Sequence, residues 1–136
     1  MDEGNIIKVL ENSISIFSLR QDGIVIQKIK EGSEIEKDDA LELIETHKKL
    51  TPERSPMLIL HTSNYSVSHD AQYIFAHDNF PTALAIITNS PVAKSTANLI
   101  FMFFDIIKKK HIPKKLFRDE KEALIWLKTF TVKKFN

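Results

Sequence analysis

The sequence contains no cysteine and only three glycines among its 136 residues. Without cysteine there can be no disulfide, no thiolate zinc site and no cysteine nucleophile, which fits a reducing compartment. With so few glycines, neither a glycine-rich phosphate loop nor a dinucleotide-binding fingerprint is available. The Gly-x-Ser-x-Gly elbow of serine hydrolases is absent as well. These absences remove several common enzyme classes from consideration.

The sequence also lacks a hydrophobic run long enough for a membrane helix. Its longest nearly apolar stretch, residues 99–107, is about half of the roughly 20 residues that a bilayer requires. The start, MDEGNIIKVL, is acidic and has no basic segment followed by an apolar run, as a signal peptide would have. Hydrophobic residues make up 43% of the chain and charged residues 27%, which is typical of a globular fold. We therefore expect a single cytoplasmic domain over residues 1–136, with a loose tail at 131–136.

Charge is distributed unevenly along the chain, although the net charge is only +1. Residues 1–80 contain 8 Lys/Arg and 14 Asp/Glu, a net −6, whereas residues 81–136 contain 11 and 4, a net +7. A fold with one acidic and one basic face favours head-to-tail self-association or an anionic partner. Charges spread over a solvated surface are the plainer interpretation.

The beginning of the chain has the pattern of an antiparallel β-meander. Short apolar runs at 5–10, 14–19 and 24–29 are separated by polar turns. Asp22 and Gly23 stand between the last two runs, and Asp-Gly in that position is a strong hairpin signal because glycine accepts a positive φ.

A helix with one apolar face is predicted next, at about residues 37–50. Ser33 and Glu36 have the spacing of a capping box just before it. Its acidic start and basic end agree with the helix dipole. The positions predicted to face inward are Ala40, Leu41, Leu43, Ile44, His47 and Leu50.

From residue 57 onward, strand and helix patterns alternate. The predicted order is strand 57–60, helix 69–78, strand 83–88, helix 90–110, strand 116–117 and helix 120–130. Such alternation gives parallel strands joined by right-handed crossovers. We predict an α/β fold in which the antiparallel meander is followed by parallel β-α units. The result is one mixed sheet of four to six strands with helices mainly on one face.

The helix predicted at 90–110, SPVAKSTANLIFMFFDIIKKK, is apolar around most of its circumference. Ser90 can cap it, and Pro91 suits its first turn. Between 99 and 107 only Asp105 is polar, whereas a surface helix needs a single apolar stripe. Burial in the core is one explanation; a dimer interface or an apolar ligand surface is the other. The candidate residues for that surface are Leu99, Phe101, Met102, Phe103, Phe104 and Ile107.

A dense group of lysines follows this helix. Its members are Lys108, Lys109, Lys110, Lys114 and Lys115. Cations at a helix C-terminus are stabilised by the dipole, which is the plain explanation. The functional alternative is a surface that binds a phosphate, an anionic headgroup or an acidic protein. Nucleic acid is disfavoured because no aromatic residues interleave with the lysines.

No arrangement of histidines or acids predicts catalysis or metal binding. His69 and His77 lie eight residues apart and do not share a helix face, and no His-Glu-x-x-His spacing occurs. His61 follows a buried strand, at the end where open α/β sheets place ligands, and is a candidate site residue. The pairs Asp38-Asp39 and Asp119-Glu120 lie at predicted helix starts, where the dipole explains them. We expect no catalytic residue, no metal and no cofactor.

Three stretches of the sequence resemble a known family: DGIVIQKIKEGSEIEKDDALELI, NSPVAKSTANLIFMFF and IPKKLFRDEKEALIWL. They are similar to small bacterial SpoIIAA-like proteins of the STAS superfamily, over about residues 14–130. The resemblance implies a SpoIIAA-like fold, which also underlies the CRAL-TRIO lipid-transfer domains.

Regulatory members of that superfamily carry an Asp-Ser-Ser-Gly-like motif where the central strand meets its helix, and a kinase partner phosphorylates a serine there. The matching stretch, residues 63–70, contains Ser66 and Ser68 but has neither that order nor the glycine. A phosphate on a serine at a helix start would meet free N–H groups, but a serine there is also a simple cap. Ser66 and Ser68 are therefore candidates for either role.

These observations favour a non-enzymatic STAS-like interaction or regulatory module that forms a homodimer through the helix at 90–110. The alternative is a binder or carrier of a small apolar or lipid-like ligand with an anionic headgroup, which the lysine group would meet. We expect neither a nucleic-acid partner nor a transmembrane segment.

Overall fold

The computed structural model describes residues 5–61, 65–77, 81–91, 94–95, 97–98, 101–102 and 112–131. Its elements are β1 (Ile6–Glu11), β2 (Ser15–Arg20), β3 (Val25–Ile29), β4 (Ser33–Ile35), α1 (Lys37–Leu50), β5 (Ser55–His61), β6 (Tyr65–Val67), α2 (His69–Ala76), β7 (Pro81–Thr88), β8 (Lys114–Phe117) and α3 (Glu120–Lys128). The described residues from 91 to 102 are also helical, as predicted for that part of the chain. Among the segments that lie outside the described residues, 103–111 contains the end of the predicted helix and 132–136 contains most of the predicted tail.

The main sheet has six strands in the order β1-β2-β3-β5-β7-β8. β1, β2 and β3 pair antiparallel, and β3-β5, β5-β7 and β7-β8 pair parallel. Gly23, with φ 89°, makes the turn between β2 and β3 that the Asp-Gly pair predicts. The predicted mixed sheet is therefore confirmed, both in its meander and in its parallel units.

A second, two-stranded parallel sheet joins β4 to β6. This pair contradicts the sequence-based prediction, in which Ser33 belongs to a helix cap and no strand occurs at residues 65–67. Ser33 lies in β4 and donates its hydroxyl to the Lys30 carbonyl oxygen at 2.6 Å. The N-cap of α1 is Glu36, whose backbone N–H donates to the Asp39 carboxylate at 2.9 Å.

Several predicted boundaries also move. β5 begins at Ser55, two residues before the apolar run, and β7 begins at Pro81. α2 ends at Ala76 and α3 at Lys128, each two residues earlier than predicted. Among the described residues, no helix combines the length and the hydrophobicity needed to cross a membrane.

Side chains of the main sheet alternate between two buried layers, because successive residues of a strand point to opposite faces. On the face that we call the front, α1 and α2 cover residues such as Phe17, Met57 and Leu84, and Ala97 joins the same cluster. On the back face, α3 covers β5 and β7, and its buried cluster contains Ile24, Leu58, Ala83, Ala85, Ile87, Ala123 and Leu127. The described helices thus lie mainly on one face, as predicted, with α3 on the other.

Candidate functional site

A cavity of about 90 Å³ lies between the front face of the sheet and the helices α1 and α2. Its floor is a row of neighbouring residues on four strands, since Phe17 lies opposite Gln27, Gln27 opposite Ile59, and Ile59 opposite Ile86. The other elements contribute Ile35 from β4, Leu43, Ile44 and His47 from α1, Tyr65 and Val67 from β6, and Phe75 from α2. The unpredicted β4-β6 pair therefore forms part of the cavity wall.

The wall is apolar except at a few positions. Among the described residues that line the cavity, Gln27, His47 and Tyr65 are polar, and none is Asp, Glu, Lys or Arg. Ile44, Tyr65, Val67 and Phe75 are only partly buried, so the cavity reaches the surface between α1, α2 and β6. An accessible apolar cavity with a small number of polar groups is the usual form of a small-molecule site.

His47 is held deep in this wall, with 2% of its surface exposed. Its ring stacks on the Phe17 ring at a centroid distance of 5.9 Å and an angle of 23°. Burial disfavours the charged imidazolium and lowers the pKa of His47 from 6.5 to about 4. The imidazole that faces the cavity is therefore neutral at physiological pH. The sequence places His47 on the inward face of α1 but does not connect it to a cavity.

Gln27 is the polar residue that the sequence analysis missed. It lies in phase with Val25 and Ile29 on β3, so its side chain points inward, and only 5% of its surface is exposed. Its Nε2 donates to the Ser15 Oγ at 3.0 Å. The signal in the sequence was a polar residue at an inward position of an alternating strand, where an apolar one is expected.

The serines predicted as a switch or cap lie beside the cavity wall rather than in it. Ser68 is the N-cap of α2, and its Oγ accepts from the Ala71 N–H at 3.2 Å. Ser66 lies in β6 with an exposed side chain. Phosphorylation of either serine stays a prediction.

The described histidines outside the cavity lie at or next to the ends of β5 and α2. His61 ends β5, at the carboxyl edge of the parallel strands. His69 opens α2, and the exposed His77 places its Nδ1 2.9 Å from the Tyr73 carbonyl oxygen. His111 lies outside the described residues. Across the described ranges, no three metal-ligating side chains come together.

The predicted interface on the helix at 90–110 is described at two positions. Phe101 is partly buried against the front cluster, whereas Met102 is 60% exposed. The other four candidates, Leu99, Phe103, Phe104 and Ile107, lie outside the described residues. A role for this surface stays a prediction.

The predicted lysine group is described only at Lys114 and Lys115. They are adjacent on β8, so their side chains point to opposite faces of the sheet. The Nζ of Lys115 lies 5.3 Å from the centroid of the Phe117 ring, on the back face. Neither residue lines the cavity. Lys108, Lys109 and Lys110 lie outside the described residues.

The sequence matches no curated protein. The structure is similar to the crystal structure of an uncharacterised protein of the DUF3478 family, with a SpoIIAA-like fold, from Shewanella loihica PV-4. The TM-score is 0.54 at 16% identity, over 90% of this chain and 92% of that chain. At that identity the likeness concerns the fold alone, and it confirms the predicted SpoIIAA-like fold. A family model described as "Domain of unknown function (DUF7793)" matches residues 17–131, and the chain belongs to that family.

Proposed function

We propose that this protein is a non-enzymatic binding module that holds a small apolar ligand in the cavity between α1, α2 and the front face of the sheet. The observation that carries the proposal is the cavity of about 90 Å³ itself. Protein interiors pack as densely as organic crystals, and voids larger than a water molecule are few. An accessible cavity of this size within such a core therefore favours an occupant.

The size of the cavity limits what it can hold. Pockets for drug-sized ligands measure about 300–1,000 Å³, and an engineered apolar cavity of about 150 Å³ binds benzene. The cavity of about 90 Å³ suits one small ring or a short branched chain. The proposed ligand is therefore apolar, as in the sequence-based alternative, but it is too small to be a full acyl chain. The described lysines do not border the cavity.

The chemistry of the lining supports binding rather than catalysis. Catalytic sites bring a nucleophile, a base or a pair of acids within hydrogen-bond reach of one another. The described lining instead combines aliphatic and aromatic side chains with one amide, one neutral imidazole and one phenol.

Benzene and a cavity-filling variant test this function. We expect benzene to bind wild-type protein, detected by ligand-observed NMR, and to raise its Tm, because a ligand that binds only the folded state stabilises it. Val67→Phe puts a ring at the cavity wall and should abolish both effects. Ile26→Phe, at a partly buried position of the back cluster, should retain them. Absence of benzene binding to folded wild-type protein would contradict the proposal.

We propose self-association through the helix predicted at 90–110 as a second function, favoured by its nearly apolar sequence at 99–107 together with the 60% exposure of Met102. Light scattering at several concentrations should show a dimer that Met102→Glu dissociates. Ile125→Glu is the matched control, because Ile125 is 59% exposed on α3. A wild-type protein that stays monomeric at every concentration would rule out this second function.

A further inference from the structure

We infer that the ligand of the cavity is an uncharged molecule with an apolar body and one hydrogen-bonding group, which meets the end of the cavity formed by Gln27 and His47. This inference rests on the proposed function and adds the chemical class of the ligand. Phenol represents that class.

The first step concerns charge. The described lining contains no Asp, Glu, Lys or Arg, and burial keeps the imidazole of His47 neutral by lowering its pKa to about 4. An ionised ligand group buried here would lose its solvation by water, and no described residue of the wall carries a charge that could replace it. The cavity therefore selects against carboxylates and ammonium groups.

The second step concerns where the polar groups lie. His47 stacks on Phe17, and Gln27 is the neighbour of Phe17 across the β2-β3 pair. The Gln27 amide and the His47 imidazole therefore lie at the β2-β3 end of the cavity, and the third polar residue, Tyr65, belongs to β6. The β5-β7 end presents Met57, Leu84 and Ile86. A ligand with one polar end and one apolar end matches this division.

The third step concerns hydrogen bonding. A carboxamide carries two N–H donors and an acceptor oxygen, and the hydrogen bond from Gln27 to Ser15 uses one donor. A neutral imidazole offers one donor and one acceptor in either tautomer. A hydroxyl group, which both donates and accepts, can bond to this combination in either direction.

Three probes of similar size test the inference on the wild-type protein: benzene, phenol and benzoate. We expect phenol to bind at least about fivefold more tightly than benzene, since one net hydrogen bond contributes about 1 kcal/mol. Benzoate should show no binding at pH 7. In NMR spectra, phenol should shift the side-chain amide resonances of Gln27 further than benzene does, because it adds a hydrogen bond to the ring current that both ligands exert.

Gln27→Met keeps the length of the side chain and removes its amide. This variant should bind benzene as wild-type protein does and lose the preference for phenol. Gln21→Met, at the turn after β2, should keep that preference. If benzene binds but phenol binds no better, or benzoate binds equally well, the ligand class is wrong and the proposed function stands. If none of the three binds, both fail.

An independent observation carries a second inference, at the other end of β5. The hydroxyl oxygens of Ser55 and Thr82 are buried and have no hydrogen-bond partner among the described residues. Both residues line a second cavity of about 30 Å³, which Asp22, Thr51 and Arg54 also border. Buried polar atoms without partners are rare in folded proteins, so these two hydroxyls require an explanation.

A β-bulge lies beside this second cavity. Ser55 pairs with Pro81 and Pro56 with Ala83, so Thr82 is an extra residue on β7 without a partner on β5. Proline at positions 56 and 81 has no N–H to donate at this point of the ladder. The bulge therefore interrupts the ladder of backbone hydrogen bonds next to Ser55 and Thr82.

The geometry points to one buried water molecule that bridges Ser55 Oγ and Thr82 Oγ1. A cavity needs about 10–15 Å³ to hold one water, which in turn needs two to four polar partners, so this cavity of about 30 Å³ with its polar lining has room for it. Glu53 and Arg54, of opposite charge, both border the cavity, and the Asp22 carboxylate already pairs with Arg20 at 2.8 Å.

A high-resolution crystal structure tests the bridge. We expect one oxygen within about 2.6–3.2 Å of both hydroxyl oxygens. The double variant Ser55→Ala, Thr82→Val should lose it, and Thr88→Val, in the same strand, should retain it. In solution, water-relaxation measurements should show one long-lived water fewer in the double variant. An empty cavity, or a metal ion at coordination distances, would overturn the inference.

Discussion

The burial of His47 links the free energy of unfolding to pH. Burial lowers its pKa from 6.5 to about 4. Between these values the unfolded chain binds a proton at this residue and the folded chain does not. Stability is therefore present above pH 6.5, is lost as the pH falls toward 4, and changes no further through this group below that value.

We expect His47 to remove about 2 kcal/mol of stability between pH 7 and pH 5. Urea denaturation at both pH values measures this loss. The free energy of unfolding of His47→Leu should fall by about 2 kcal/mol less than that of wild-type protein over the same pH range, because its unfolded chain no longer takes up the proton. His77→Gln, at an exposed position, should behave as wild-type protein does. Equal pH dependence in wild-type protein and His47→Leu would refute the link.

Arg20 and Asp22 form a buried ion pair at the tip of the meander. The pair is 2.8 Å long, and the two residues are 8% and 1% exposed. The Asp22 carboxylate also accepts from the Ile24 N–H at 3.2 Å. The Asp-Gly pair predicts the turn from the sequence. Only the structure shows that Arg20 supplies the counter-charge for the buried Asp22 carboxylate.

Asp22→Ala should destabilise the fold by about 3–5 kcal/mol, because it leaves the Arg20 guanidinium buried without its counter-charge. Chemical denaturation measures the change. Glu11→Ala is the matched control, since it breaks the more exposed Lys30–Glu11 pair of 2.7 Å and should cost less than about 1 kcal/mol. Similar losses of stability in both variants would mean that the buried ion pair contributes no more to stability than the exposed one.

The longer elements could be predicted because their patterns are local. Alternation and the Asp-Gly turn give the meander, apolar spacing gives α1, and the capping residues Ser68 and Asp119 give the starts of α2 and α3. The β4-β6 pair could not be predicted, because strands of three residues are too short to show an alternating pattern of apolar and polar residues. Their pairing also joins segments about thirty residues apart in the chain.

Ser68→Ala should lower stability by about 1 kcal/mol, since the Ala71 N–H loses its acceptor. Ser68→Asp should restore most of that loss, because aspartate also caps and its charge suits a helix N-terminus. Thermal unfolding of the three proteins measures both changes. Ser66→Ala, at an exposed position, should be neutral. A neutral Ser68→Ala would remove the capping role.

Across the whole molecule, the cavity could not be predicted from the sequence. Its lining joins residues as distant as Phe17, His47 and Ile86, and no local pattern brings them together. What the sequence does indicate is that β5 and β7 are covered on both faces, because their apolar runs do not alternate. In the structure, these two strands supply residues to the front and the back cluster alike.

This shared sheet predicts that the two clusters unfold together. Trp126, the single tryptophan, packs against Phe117 and Phe130 at ring-centroid distances of 5.6 and 4.9 Å, so its fluorescence reports on the back cluster. Far-UV circular dichroism reports on the helices and strands of both faces. Leu127→Ala should destabilise the protein by about 2–5 kcal/mol and shift both signals to the same lower denaturant midpoint.

Ile125→Ala is the control on the same helix, because Ile125 is 59% exposed and its truncation should leave both midpoints nearly unchanged. If the fluorescence of Leu127→Ala changed at a lower denaturant concentration than its circular dichroism, α3 would unfold by itself. Coincident transitions would instead mean that losing a contact on the back face weakens the sheet that forms the floor of the front cavity. Substitutions under α3 would then also reduce ligand binding, by lowering the population of the folded protein.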